Sequence, residues 1–235
     1  MDARAGNVLH DALPEVVRAR ITPHLTSVQM AVGDILYDPE DLIDVVYFPT
    51  TAVVSFGHTI EARRAASVAL AGAEGLVGVE LFLSGERSIG RSVVEMPGLL
   101  LGVDSKALQS EFEQGQAIRW LVLRYVHALM SQISINAVCE RLHSIEMRLV
   151  RWLLLAHDRR IDGELALTQE RLADLLGVRR EGVAIAAKRL QEASLIDYRR
   201  GHIHIVDRPG LEANSCSCYR EIQTEYQRLT KDLDR

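Results

Sequence analysis

With 235 residues, 48% of them hydrophobic and 25% charged, the chain can bury one large core or two smaller ones, and its composition excludes a disordered or fibrous class. A net charge of -5 argues against a surface that binds polyanions everywhere. Three cysteines, Cys139, Cys216 and Cys218, are an odd number and imply no disulfide framework, so free thiols in a reducing compartment are expected.

The opening stretch, MDARAGNVLHDALPEVV, has no apolar run ahead of a cleavage site, which predicts a cytoplasmic protein. LPEVVRARITPHL then fits one or two short helices. From about Ala31 to Val103, short apolar runs are broken roughly every ten residues by turn signals, at Gly33-Asp34, Asp38-Pro39, Phe48-Pro49, Gly72 to Gly75, Ser84-Gly85 and Pro97-Gly98. That spacing predicts a small antiparallel β-roll, barrel or jelly roll. Within it DVVYFPTTAVVSF is rich in β-branched and aromatic residues and has no helical period.

The pattern changes near Lys106. Gln116 to Asn136 reads as one continuous helix about 30 Å long. Its apolar residues, among them Leu121, Val122, Tyr125, Val126, Met130 and Ile133, occupy more than one face, while Arg119, Arg124 and His127 make a membrane span costly. Two apolar stripes suit a helix packed on the roll on one side and on its twin in a second subunit on the other. A further helix follows, capped by Ser144, with Leu149, Trp152 and Leu153 on one side, and the polar turn DRRIDGE around Gly163 ends it.

Thr168 caps the next helix, Leu172, Leu175 and Leu176 tie it to a core, and Gly177 breaks it. A second helix is expected from about Arg180 to Ala193, and IDYRRGHIHIVD reads as a two-stranded hairpin turning at Arg200-Gly201. Thr168 to Arg208 carries eight Lys/Arg against six acids, a net +2, which leaves -7 on the rest of the chain. An acidic body with a basic C-terminal module would confine polyanion contact to one place.

Helix, glycine turn, helix and hairpin make a winged helix-turn-helix, whose second helix enters the major groove N-terminus first. In that geometry Arg180 can fork onto a guanine and Glu181 can accept from a cytosine amino group. Val183, Ala186, Ala187 and Leu190 form the buried stripe, and Thr168, Gln169, Lys188 and Arg189 can hold phosphates. Arg179 and Arg200 complete the residues expected at double-stranded DNA.

Three stretches, GDILYDPEDLIDVVYFP, the long central helix and LTQERLADLLGVRREGVAIAAKRLQEASLI, together resemble the Crp/Fnr family of bacterial transcription regulators, over nearly the whole chain. The resemblance implies an α+β protein in three parts. Residues 1–110 would be a cyclic-nucleotide-binding-like β-roll, 111–140 a dimerisation helix, and 141–235 a winged helix-turn-helix domain ending in an amphipathic helix. It further implies a homodimer on a near-palindromic operator, acting by binding and without catalysis, with RNA polymerase as a further candidate partner. The family pattern usually has an arginine four residues after the glutamate of such a recognition helix, where this chain has Ile185. Arg180 and Glu181 carry over and the third reader does not, so a different half-site is expected, with a thymine methyl against Ile185 or Ala184.

The family's nucleotide pocket pairs a glycine-glutamate for the ribose with an arginine-serine for the cyclic phosphate. Here Glu80 follows Gly78 with one residue too many, Arg91-Ser92 is a better match than Arg87-Ser88, and Ser134 falls near the base-contacting position. The displaced glutamate favours surface charges over a working pocket. A small-molecule effector stays open, cyclic AMP among the choices, and no cofactor is expected. An iron-sulfur sensor is excluded because the first 138 residues contain no cysteine. His58 and His127 are the conceivable haem ligands, though structural roles suit them better.

Cys216 and Cys218 supply two of the four ligands zinc wants with no partner pair nearby in sequence, so they read as packing thiols at the start of a helix marked by Tyr219, Ile222, Tyr226, Leu229 and Leu233. His202 and His204 share one face of a strand, near phosphate or solvent. Two readings from other classes remain. A metal-dependent enzyme on a cupin-like roll needs clustered ligands, and residues 31 to 103 offer only His58. A nucleotide-binding signalling subunit would turn its winged helix to a protein instead.

Overall fold

The structure is a computed structural model that describes residues 6–60, 64–83, 85–159 and 165–231. Two short helices, α1 (Val8–Asp11) and α2 (Glu15–Ile21), lead into an antiparallel roll of two sheets. The first sheet has the order β1 (Leu25–Met30), β7 (Gly98–Asp104), β3 (Val45–Pro49). The second has the order β2 (Ile35–Tyr37), β6 (Arg91–Met96), β4 (Val53–Ile60), β5 (Arg64–Ala71).

Alternation builds the roll: along β3, Val46 and Phe48 are buried while Val45 and Tyr47 are half-buried, as a sheet with one face on a core requires. Val46, Phe48, Val54, Val94, Leu100 and Val103 meet in one core, to which Leu9, Val17 and Ile21 add an N-terminal cover. The roll starts at Leu25, earlier than the turn spacing predicts. Half of β1 is exposed and none of it is fully buried, and it is a strand because it pairs with β7 in full register, Leu25 opposite Val103 through Met30 opposite Gly98. That partner carries no apolar signature in the β1 sequence itself.

Asp104 closes the roll and caps α3 (Ser105–Gln114), accepting from the Ala107 N–H at 3.0 Å. Gly115 then takes extended backbone and separates α3 from α4 (Gln116–Leu142). At 27 residues, α4 is about 40 Å long, six residues longer than predicted. Cys139 continues its buried face past the predicted end at Asn136, which holds the last turns in place. That face, with Ile118, Leu121, Val122, Tyr125 and Leu129, lies on the roll. The Tyr125 ring rests on Gly75, and its hydroxyl donates to the Leu76 carbonyl at 2.9 Å. No helix among the described residues is long and apolar enough to cross a membrane.

A second core joins the C-terminal part to Val53, Leu70 and Met96 of the roll. The C-terminal part holds α5 (Ile145–Asp158), β8 (Leu165–Ala166), α6 (Gln169–Leu176), α7 (Arg180–Glu192), β9 (Ile196–Arg199), β10 (His202–Ile205), α8 (Arg208–Ala213) and α9 (Ser217–Lys231). Ser144 caps α5 and Thr168 caps α6, each hydroxyl accepting a backbone N–H three residues on. The wing has three strands where two were predicted, because Leu165 and Ala166 pair with Ile203 and His202. The turn expected at Gly163 and the expected apolar residue Leu233 lie outside the described residues.

Two contacts fix the reader against the roll. The α6 helix lies on β5, and Arg171 on α6 forms a two-pronged pair with the fully buried Glu95 on β6, at 2.8 and 2.5 Å. Ser55 donates to the same carboxylate at 2.5 Å. The α9 helix folds back along α4, where the buried Arg159 meets Glu74 at 2.6 Å and stacks on the Tyr226 ring.

Candidate nucleic-acid interface

Local chemistry sets the two reader helices. Gly177 ends α6 in the left-handed region, at φ 62°, a conformation that costs a residue without a Cβ almost nothing. Arg179 is extended and flanks α7, so Arg180 and Glu181 stand in its first turn. Val183, Ala186, Ala187 and Leu190 are buried along one face of the helix, at i, i+3, i+4 and i+7, and Arg180, Glu181, Ile185, Lys188 and Arg189 are exposed. Ile185 is 57% exposed, an unusual site for a branched apolar side chain in an otherwise polar row. Gly182 marks the close approach of α7 to α5: a Cβ there would lie 2.7 Å from the Ile145 Cδ1.

The wing turns at Arg200 and Gly201, whose φ angles of 52° and 84° are both left-handed, the two-residue hairpin geometry that matches strand twist. This turn brings Arg200 to Thr168, Gln169, Arg180 and Tyr198, which line one open concave corner. Tyr198 donates to the Leu167 carbonyl at 2.8 Å, and burial pushes its hydroxyl up to about 12, so it stays neutral. Lys188 pairs loosely with Glu192 at 3.6 Å and Arg189 with Glu146 at 3.4 Å. Arg179, Arg180 and Arg200 have no ion-pair partner among the described residues.

Among the residues expected at an effector, Ser134 lies apart from Arg91. Glu80 lies in a 3-10 turn after Gly78 and accepts weakly from the Ile89 N–H at 3.4 Å. Arg91 pairs with Asp38 at 2.5 Å and lines a cleft between the roll and α6, whereas Ser92 is buried in β6. Ser134 faces a different groove, between α4 and α9. His58 lines the cleft beside α6, and His127 is exposed and lies 3.6 Å from Glu225.

The expectation that Cys216 and Cys218 lack a partner pair is corrected by the fold. Cys139 and His143, at the end of α4, meet them at the start of α9, and the four ligand atoms lie within 4.8 Å of one another. The Cys139 and Cys216 sulfurs lie 3.7 Å apart, close enough to share a proton. Sequence reading missed this cluster because its halves are 77 positions apart. It also missed the Glu95–Arg171 pair, whose only sequence signal is an acid inside the apolar strand RSVVEM.

Residues 147–214 match the Crp-like helix-turn-helix domain family. A comparison with curated proteins finds no match. Among solved structures, FixK2 from Bradyrhizobium japonicum is 17% identical with a TM-score of 0.68, over 82% of this chain and 98% of that one. A transcriptional regulator of the CRP family from Thermus thermophilus is 16% identical with a TM-score of 0.66, over 80% and 96%. The c-di-GMP-responsive global regulator CLP from Xanthomonas campestris is 18% identical with a TM-score of 0.65, over 83% and 100%. The chain shares the fold of these solved structures, and its residues 147–214 are matched by the Crp-like helix-turn-helix domain family.

Proposed function

We propose that the protein is a sequence-specific transcription regulator that binds a near-palindromic operator as a homodimer in the cytoplasm and catalyses nothing. The observation that carries this reading is the corner where Arg180, Arg200, Thr168 and Gln169 converge, with the exposed face of α7 continuing from it. Arg180 and Glu181 read base edges, and Ile185 with Ala184 offers an apolar surface to a thymine methyl. Thr168, Gln169, Arg179, Lys188, Arg189 and Arg200 hold phosphates and set the register.

The second copy is supported by α4. Along α4, Leu123, Val126, Met130, Ile133 and Ala137 repeat at three- and four-residue steps, all exposed except Val126, which is half-buried against the roll core. Such a stripe is a coiled-coil seam, and α9 lies beside it on the neighbouring face. Two reader domains carried on paired α4 helices would meet half-sites about one DNA turn apart. RNA polymerase is the partner such a regulator would address.

The Arg91–Asp38 pair, the burial of Ser92 and the separate groove of Ser134 support regulation without cyclic AMP through those residues. Selection of bound duplexes from a random-sequence library, with and without cyclic AMP, tests the whole reading. A palindromic motif enriched equally in both arms is expected. Enrichment only with the nucleotide would restore Glu80, Arg91 and Ser92 as a pocket, and no motif in either arm would overturn the DNA-binding assignment.

A further inference from the structure

The end of α4 and the start of α9 bring together three thiols and an imidazole that neither the core nor the reader surface requires. Cys139 is fully buried in the last turns of α4, His143 follows four residues later as the half-buried cap of that helix, and Cys216 and Cys218 flank Ser217, the first residue of α9. The spacing of four places Cys139 and His143 on one side of the helix end. Both cysteines of the second pair are buried and point to the same spot.

The distances are those of a coordination shell. A tetrahedral zinc ion, with bonds of about 2.3 Å to sulfur and about 2.0 Å to nitrogen, spaces its ligand atoms about 3.5–3.8 Å apart. Here Cys139 Sγ lies 3.7 Å from Cys216 Sγ, His143 Nδ1 lies 3.3 Å from Cys139 Sγ, and Cys218 Sγ lies 3.7 Å from His143 Nδ1. Side chains that merely fill a core do not aim four soft donor atoms at one point.

The charge around the cluster is an independent observation. Arg151 on α5 is buried beside the thiols, where its charge acts on Cys139 and Cys218. Its guanidinium donates to the neutral Asn136 side chain, its Nε has no partner, and no carboxylate among the described residues pairs with it. A buried cation without a counter-charge is costly. Zinc with three thiolates and a neutral imidazole carries a net charge of -1, the counter-charge this arginine lacks.

We infer that Cys139, His143, Cys216 and Cys218 bind one zinc ion through three thiolates and the His143 Nδ1. On binding, the thiols release their protons to solvent and no electron moves. Three sulfurs and one nitrogen, with no oxygen donor, select zinc over magnesium, calcium or manganese. A full set of four protein ligands leaves no position for substrate, so the site is structural. It clamps α9 to α4 immediately before Ser144, where the chain turns from the long helix into the reader domain.

The test uses the full chain, purified under reductant, loaded with zinc or cobalt(II) and desalted. One zinc per chain is expected, together with a cobalt form showing thiolate-to-metal charge transfer in the near ultraviolet and the intense visible bands of a tetrahedral site. Cys218→Ser and His143→Ala should each lower zinc affinity at least tenfold while circular dichroism stays unchanged. Wild-type protein that retains far less than one zinc per chain, or a cobalt form without charge transfer, would overturn the assignment. So would unchanged stoichiometry and affinity in both variants, or a Cys139–Cys216 disulfide in freshly reduced protein in place of metal.

Discussion

Arg180 and Lys188 stand two turns apart on the same exposed helix face, yet different chemistry is expected of them. Arg180 lies in the first turn, where a forked guanidinium reaches base edges, so Arg180→Ala should cost about 1–3 kcal/mol on the selected operator and relax preference at one base position. Equal weakening on every duplex would remove it from the reading set. Lys188→Ala should weaken all duplexes alike and reduce the salt slope by about one, measured by titrating potassium chloride in a binding assay. Inside the protein, the fully buried Glu95 depends on Arg171 for its counter-charge. Arg171→Ala should therefore destabilise the fold by about 2–3 kcal/mol in urea unfolding, less than a wholly buried pair because Arg171 is partly solvated.

His157 gives a pH dependence at the same scale. Burial, then the neighbouring Arg208 charge, lowers its pKa, and Arg208 donates to its Nδ1 at 2.7 Å, which requires the neutral ring. The folded protein binds this proton less readily than the unfolded chain. Stability from this group is thus complete above the unfolded value of about 6.5 and declines as pH falls through it. His157→Gln should lessen the drop in urea midpoint between about pH 7 and about pH 5.5; an identical drop in both proteins would locate the effect elsewhere.

At the scale of elements, α4 serves two surfaces with one sequence. Its hydrophobic residues are shared between the roll side and the outer stripe, so its amphipathicity is weak for a helix of its length, and the sequence shows only that more than one face is apolar. Tyr125, resting on Gly75, marks the face that meets the roll. The remaining stripe makes a prediction: Met130→Glu should shift sedimentation from dimer to monomer and leave the circular dichroism of each chain intact. A dimer that survives would place the seam on another surface. The reader helices were more legible, because Thr168, Gly177 and the Arg200-Gly201 turn are local devices whose partners lie within a few residues. The third wing strand was not, since Leu165 and Ala166 gain their identity only from β10.

For the whole molecule, the reader is held at three places: α6 on the roll through Arg171 and Glu95, Arg159 in the junction of the roll with α4 and α9, and the thiol cluster at the hinge. A ligand that binds only the folded state stabilises it by mass action. Removing zinc with a chelator should therefore lower the unfolding midpoint of wild-type protein by several degrees and leave Cys218→Ser unchanged.

The amino-acid sequence by itself determined the roll, the long helix, the order of the reader helices, their caps and break, and the charged first turn of α7. These features arise from periodicity and from hydrogen bonds between near neighbours, which any stretch of chain carries with it. Tertiary structure alone decided that Cys139 and His143 meet Cys216 and Cys218, that Glu95 finds Arg171, and that Arg91 and Ser134 face different places. Those outcomes depend on how two cores pack against one helix, and contacts between residues more than seventy positions apart leave no periodic trace along the chain.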